Sequence, residues 1–144
     1  METAASALKV SLHILDARTL EEIEAAFAEV AKQRVPALLV MQDGMFLSQR
    51  TLIAGLAASN NLPAMYTIQE HADAGGLMAY ATNRPLMFRS AAIYVDKILK
   101  GAKPGDLPIE RPTTFDLVVN LKAARKLGLT MPLAIMVRAT RVIE

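Results

Sequence analysis

The sequence contains no cysteine and no tryptophan. Without cysteine, neither a disulfide framework nor a thiolate metal site can form, and redox compartment cannot be inferred from thiol usage. Aromatic residues make up 5% of the chain, too few for the stacking platform that single-stranded nucleic acid needs. Charge of one sign is not concentrated anywhere. The 16 basic and 14 acidic residues are interspersed, so the net charge of +2 forms no nucleic-acid stripe. Arg138 and Arg141 stand close together near the end and read as a solvated helix face. Long hydrophobic runs are missing too. The longest, Val35 to Met41, is far too short to span a bilayer, so no membrane insertion is expected. The start, METAASALKVSLHILDAR, lacks a basic segment followed by an apolar core and a cleavage site; read from Met1, the chain is cytoplasmic.

What is present is an ordinary globular balance. Hydrophobic residues reach 53% and charged residues 21% over 144 residues, enough for one sizeable core and not for two full domains. Leu8, Val10, Leu12 and Ile14 alternate with Lys9, Ser11 and His13, which predicts a half-buried strand over Leu8 to Leu15. Thr19 and Glu22 have capping-box spacing. The helix behind them places Leu20, Ile23, Phe27 and Val30 on one face. Val35 to Met41 reads as a strand covered on both faces. A helix over Phe46 to Asn60, turning Ile53, Leu56 and Ala57 inward, and a strand over Leu62 to Ile68 follow.

Gln69 to Ala74 allows one helical turn, broken by Gly75 and Gly76 before a strand from Leu77 to Ala81. Asn83 is placed to cap a helix over Pro85 to Lys100, with Leu86, Ser90, Tyr94 or Ala91, and Ile98 on its inner side and Gly101 ending it. Gly101 to Thr113 is a stiff connector. Thr114 to Asn120 alternates as a strand, Leu121 to Leu127 is a short helix, and a last helix begins at Met131 and Pro132. Alternating strands and helices predict an α/β fold: a three-layer, open, mostly parallel sheet with helices on both faces.

Catalytic signals are lacking. No phosphate loop or nucleophile elbow is present. His13 and His71 have no second histidine at metal spacing. His13 reads as an exposed strand residue, and His71, beside Glu70 and Asp73, as part of a solvated loop. No catalytic residue, metal or cofactor is implied. In open parallel sheets, ligands lie outside the carboxyl ends of the strands. That rule selects Asp43, Gly44 and Met45 after one strand, Thr67 to Glu70 after the next, and Ala81 to Asn83 after the third. Asp43 is suited either to a ligand's ammonium group or to capping the next helix. Asn83 has the same two readings. Tyr66 and Tyr80 suit stacking on a flat ligand or a place in the core. Gly75 and Gly76 permit a tight turn or a close approach of ligand to backbone. A polar rim with two aromatics suits binding rather than catalysis.

The motifs GGLMAY (Gly75–Tyr80), YVDKILKGAKP (Tyr94–Pro104), DLP (Asp106–Pro108), FDLVVNLK (Phe115–Lys122) and LGLTMP (Leu127–Pro132) carry a family likeness, supported by Thr3–Leu15, Ala37–Asp43 and Leu62–Tyr66. The chain resembles the substrate-binding proteins of ABC transporters of the tryptophan/tyrosine-uptake type, in their carboxy-terminal lobe only. The resemblance implies one lobe of a periplasmic-binding-protein-like type I fold, a small ligand such as an amino acid held between two lobes, a membrane permease as partner, and a periplasmic location. It also implies a chain about twice this length. Ala81 stands where the family usually has a glycine, and Gln42 to Met45 departs from its usual small polar residues.

Residues 1–111 are expected to form the lobe. Residues 112–144 are expected to form a crossover strand and terminal helices, packing on the lobe or on a second copy. With no first lobe in the chain, Phe115, Leu117, Val119 and the apolar side of the last helix would lose a partner. An exposed apolar patch of that kind favours a homo-oligomer.

Overall fold

A threonine followed three residues later by a glutamate opens the first long helix, as the spacing predicts. The computed structural model describes residues 2–144 in two units, one up to Val35 and one from Pro36 to Glu144.

In the first unit, α1 (Glu2–Ala7) is followed by α2 (Leu20–Gln33). Thr19 Oγ1 accepts from the Glu22 N–H at 3.2 Å, and the Glu22 carboxylate accepts from the Arg18 N–H at 2.6 Å. The reciprocal bond thus forms one residue outside the cap. Ile23, Phe27 and Val30 are buried as their spacing predicts, whereas Leu20 in the first turn is exposed. The predicted strand at Leu8 to Leu15 does not form. Lys9, at φ 55°, and Val10 close the end of α1 through bonds to the carbonyls of Ser6 and Ala5. That is a Schellman closure, and it consumes the first residues of the alternation. The rest, to Arg18, has no partner strand among the described residues. A strand exists only where a neighbour takes up its backbone groups.

The second unit holds the sheet. Its elements are β1 (Leu38–Val40), α3 (Gly44–Ser48), α4 (Arg50–Ser59), β2 (Ala64–Tyr66), α5 (Glu70–Asp73), β3 (Met78–Thr82), α6 (Arg84–Leu99), β4 (Phe115–Asn120), α7 (Leu121–Lys126), α8 (Leu133–Met136) and β5 (Arg141–Ile143). The strands lie in the order β1-β2-β3-β4-β5. β1, β2 and β3 are parallel, β4 runs antiparallel to β3, and β5 is parallel to β4. The mixed α/β class with an open, mostly parallel sheet is therefore as expected.

Several details differ from expectation. β1 is an edge strand of three residues with Leu39 exposed, so it is not covered on both faces. The helix expected over 46–60 is two helices meeting at Gln49, because Asp43 starts the first of them early. In α6 none of the 16 residues is buried, although Leu86, Ser90, Ala91 or Tyr94, and Ile98 were expected to face inward. Tyr94 is half-buried, its hydroxyl donating to the Pro108 carbonyl at 2.6 Å. In β4 the alternation gives way at Val118, Val119 and Asn120, which are all buried because both faces are covered there. Val119 therefore cannot belong to an exposed patch, while Phe115 is exposed. The last helix is only four residues long, and the chain goes on into β5. Arg141 thus lies on a strand, where its guanidinium pairs with Asp73 at 2.8 Å, and not on a helix face.

Tyr66, His71, Val118 and Val119 are the largest fully buried side chains. A smaller cluster of Leu77, Ala123 and Ala124 carries Met78, Leu127 and Met131 at its margin.

Candidate functional site

Three parallel strands end at one edge of the sheet, and each is followed by a polar residue. After β1, Asp43 Oδ1 accepts from the N–H groups of Met45 at 2.7 Å and Phe46 at 3.4 Å, capping α3 and shaping Gly44 and Met45 around its carboxylate. After β2, Thr67 ties back to the Val40 carbonyl through its N–H and hydroxyl, which leads the chain to Gln69. After β3, Asn83 Oδ1 accepts from the Leu86 N–H at 3.0 Å and caps α6.

The amide of Asn83 does a second thing. It donates to Asp116 Oδ2 at 2.8 Å, and the Gln69 amide donates to the same oxygen at 2.8 Å. Asp116 is half-buried on β4, opposite Ala81 of β3. Its other oxygen, Oδ1, has no hydrogen-bond partner among the described residues. The sequence places Asp116 on the polar side of a strand. Only the antiparallel course of β4 brings it to the carboxyl edge of β1, β2 and β3, and alternation carries no information about direction.

Tyr80 lies on the exposed face of β3 with its ring stacked on Phe115, centroids 5.3 Å apart and planes 18° from parallel. The two are diagonal neighbours across the β3–β4 ladder, since Tyr80 pairs with Leu117. Gly75 and Gly76 lie before β3, at the end of the sheet opposite Asp43 and Asn83. Tyr66 is 0% exposed, and burial pushes its hydroxyl pKa up to about 12. Its ring stacks on His71 at 4.7 Å. The structure therefore brings Asp43, Gly44, Met45 and Asn83 to one edge, and places Tyr80 on a sheet face, Tyr66 in the core and Gly75 and Gly76 at the far end.

His71 is 1% exposed, which corrects the expectation of a solvated loop residue. α5 turns its ring inward, away from the exposed Asp73. Neither ring nitrogen has a hydrogen-bond partner, and nor does the Tyr66 hydroxyl. Burial lowers the His71 pKa; the nearby backbone of Phe46 and Ile68 and the charge of Glu70 oppose the shift, while Arg50 adds to it. A free histidine titrates near 6.5, so below about that pH the unfolded chain binds a proton that the folded chain refuses. Stability is therefore expected to fall as pH drops from about 6.5 toward the lowered native value, by up to about 1.4 kcal/mol per pH unit. Urea midpoints at pH 7 and pH 5, compared between the wild type and His71→Phe, check this: the variant should show the smaller drop.

The family model for ABC transporter substrate binding proteins matches residues 1–143. The chain belongs to this family. Solved structures with the same fold include a conserved domain protein from Vibrio cholerae O1 biovar El Tor, at TM-score 0.89 and 23% identity over 98% of this chain. They include the ABC domain in complex with L-Trp from Streptococcus pneumoniae, at TM-score 0.87 and 23% identity over 98% of this chain. A ligand-free, open substrate binding protein with adhesive properties from Clostridium difficile gives TM-score 0.71 and 19% identity over 99% of this chain. The chain spans about half the length of each, covering 47%, 49% and 47% of them respectively. No curated protein matches the sequence.

The edge just described presents the carboxylates of Asp43 and Asp116 beside the amides of Gln69 and Asn83. Among the described residues no group of three His, Asp or Glu side chains could hold a metal ion. No described helix is long and apolar enough to cross a membrane.

Proposed function

We propose that this chain forms one wall of a solute-binding site in an ABC-type uptake system and takes a small, ammonium-bearing ligand of the amino-acid class without chemistry. The observation that carries the reading is Asp116, whose carboxylate is oriented by Gln69 and Asn83 through one oxygen while the other stays open. A carboxylate held by two amides at a strand edge is a pre-oriented acceptor for a ligand's ammonium group. Asp43, Gly44 and Met45 would line the same edge, and the exposed Tyr80 would supply an aromatic surface. Tyr66, Gly75 and Gly76 would support the wall from behind. The L-Trp complex of the Streptococcus pneumoniae domain supports the ligand class. The rest of the site, delivery to a membrane permease and a location outside the cytoplasm belong to the same reading.

The test is a thermal-shift and calorimetric screen of the chain against the amino acids. A ligand at a hundred times its Kd should stabilise the fold by about 2.7 kcal/mol. Asp116→Asn should weaken that ligand by at least about tenfold, since it removes the charge that pairs with ammonium. A flat response across the panel overturns the proposal. It would favour a second reading, a non-catalytic α/β domain that oligomerises without a ligand.

A further inference from the structure

Each of the two amides that hold Asp116 is followed by a charged residue. Gln69 is followed by Glu70, and Asn83 by Arg84. The Arg84 guanidinium donates to Glu70 Oε1 at 2.6 Å. Gln69 and Asn83 meet on Asp116 Oδ2 at 2.8 Å each. These contacts close a ring. The dipeptides 69–70 and 83–84 are joined twice, once through Asp116 and once through the ion pair.

The two donors are not held alike. Asn83 is fixed to β4 and α6: its N–H donates to the Thr114 carbonyl at 3.0 Å, and its Oδ1 caps α6. Gln69 lies three residues past Tyr66, where the β2–β3 ladder ends, and its side chain caps nothing. It is carried at the start of α5, a single turn that cannot be stable by itself. The far end of α5 has its own ties, from Asn120 to the Ala72 carbonyl and from Arg141 to Asp73. At the near end the buried Ile68 and His71 pack the backbone, but packing does not choose a direction for a long amide side chain. Two donors share one oxygen only when the backbones that carry them are held close.

We infer that Glu70 and Arg84 are positioning residues: their ion pair draws the start of α5 to the start of α6, sets the Gln69 amide on Asp116, and so fixes the direction of the carboxylate oxygen left open. The consequence for affinity rests on the solute-binding reading above. Both side chains are well exposed, Arg84 at 50% and Glu70 at 40%, so the pair adds little to the stability of the fold. Its effect falls on the site, where a carboxylate already oriented spares the ligand the loss of side-chain freedom on binding. The Asp73–Arg141 pair supplies a built-in control. It has the same chemistry on the same helix, at 2.8 Å and 47% and 46% exposure, but at the end away from Gln69.

The test follows the side-chain amide NMR signals of Gln69 and Asn83 in the chain, then titrates the same samples with L-tryptophan. Asp116→Ala marks where the Gln69 signals lie once the amide is released. Glu70→Ala and Arg84→Ala should each move the Gln69 signals toward that position, leave those of Asn83 nearly in place, and not shift the urea midpoint. The double variant should add nothing, since both changes open the same ring. Asp73→Ala should leave the Gln69 signals where they are. L-tryptophan should bind Glu70→Ala about two- to tenfold more weakly than the wild type. Gln69 signals unmoved by Glu70→Ala overturn the inference, and so do signals that move as far in Asp73→Ala, which would mean that the ion pairs merely hold the helix. L-tryptophan affinity that falls in Asp116→Asn but not in Glu70→Ala overturns it too, and leaves the solute-binding reading standing. No titration of the wild type counts against that reading alone, and the amide signals then decide the positioning role by themselves.

Discussion

Gly76→Ala is expected to destabilise the sheet-bearing unit by about 3 kcal/mol, the upper end of what overpacking of a core usually costs. A Cβ at this position would sit 2.5 Å from Cε2 of Tyr66 and 2.8 Å from the backbone oxygen of His71. Neither neighbour can yield cheaply. The Tyr66 ring is wholly buried and held in its stack with His71, and the His71 carbonyl already accepts the Gly76 N–H at 2.9 Å. The strain would therefore spread to α5, β2 and the start of β3 together.

Gly75→Ala is the informative comparison. Gly75 sits at φ 105°, which an L side chain adopts only under strain, but a Cβ there meets nothing within 4 Å. Its cost should be backbone strain alone, about 1–2 kcal/mol. Urea denaturation of the two variants separates the roles. If Gly76→Ala is no worse than Gly75→Ala, Tyr66 is free to move and the close approach does not hold the core.

The two glycines show what the sequence could and could not say. As a pair they announce a turn, and the turn is there. That one of them is pinned by a tyrosine ten residues back depends on the parallel pairing of β2 and β3, which no local pattern reveals. Periodicity reports which face of an element is apolar, and for α2, β2 and β3 that face found cover. It does not report whether anything is present to cover it. The 8–15 segment alternates well yet has no ladder, and α6 has helical spacing yet buries nothing. Caps are local chemistry, and those at Thr19, Asp43 and Asn83 read correctly from one or two residue types each.

Direction is not local. β4 was legible as a strand, but its antiparallel course, and with it the meeting of Asp116 with Gln69 and Asn83, depends on a long excursion and a pairing choice. β5 is three residues long and follows an apolar stretch that mimics a helix, so nothing in its own sequence separates the two. His71 sits among polar neighbours in sequence. Only the turn of α5, which aims it at Tyr66, explains its burial.

Asn120→Leu is expected to cost about 2–4 kcal/mol, through two hydrogen bonds that the buried amide makes in different directions. Its Oδ1 accepts from the Ala123 N–H at 3.0 Å and caps α7, while its Nδ2 donates to the Ala72 carbonyl at 3.1 Å at the end of α5. One side chain thus joins β4, α7 and α5 where the chain is covered on both faces. Leucine has a similar volume, so the loss is one of polar satisfaction and not of packing. The Ala123 N–H, on a buried residue, would have no acceptor from the cap. The Ala72 carbonyl would fare better, because it also accepts from the Gly75 N–H at 3.1 Å. Most of the cost should therefore come from the cap, and Asn120→Ser tests this. Serine is a good N-cap acceptor but too short to reach Ala72, so it should recover more than half of the loss. Recovery of little or none would mean that the bridge to α5, and not the cap, is what Asn120 holds together.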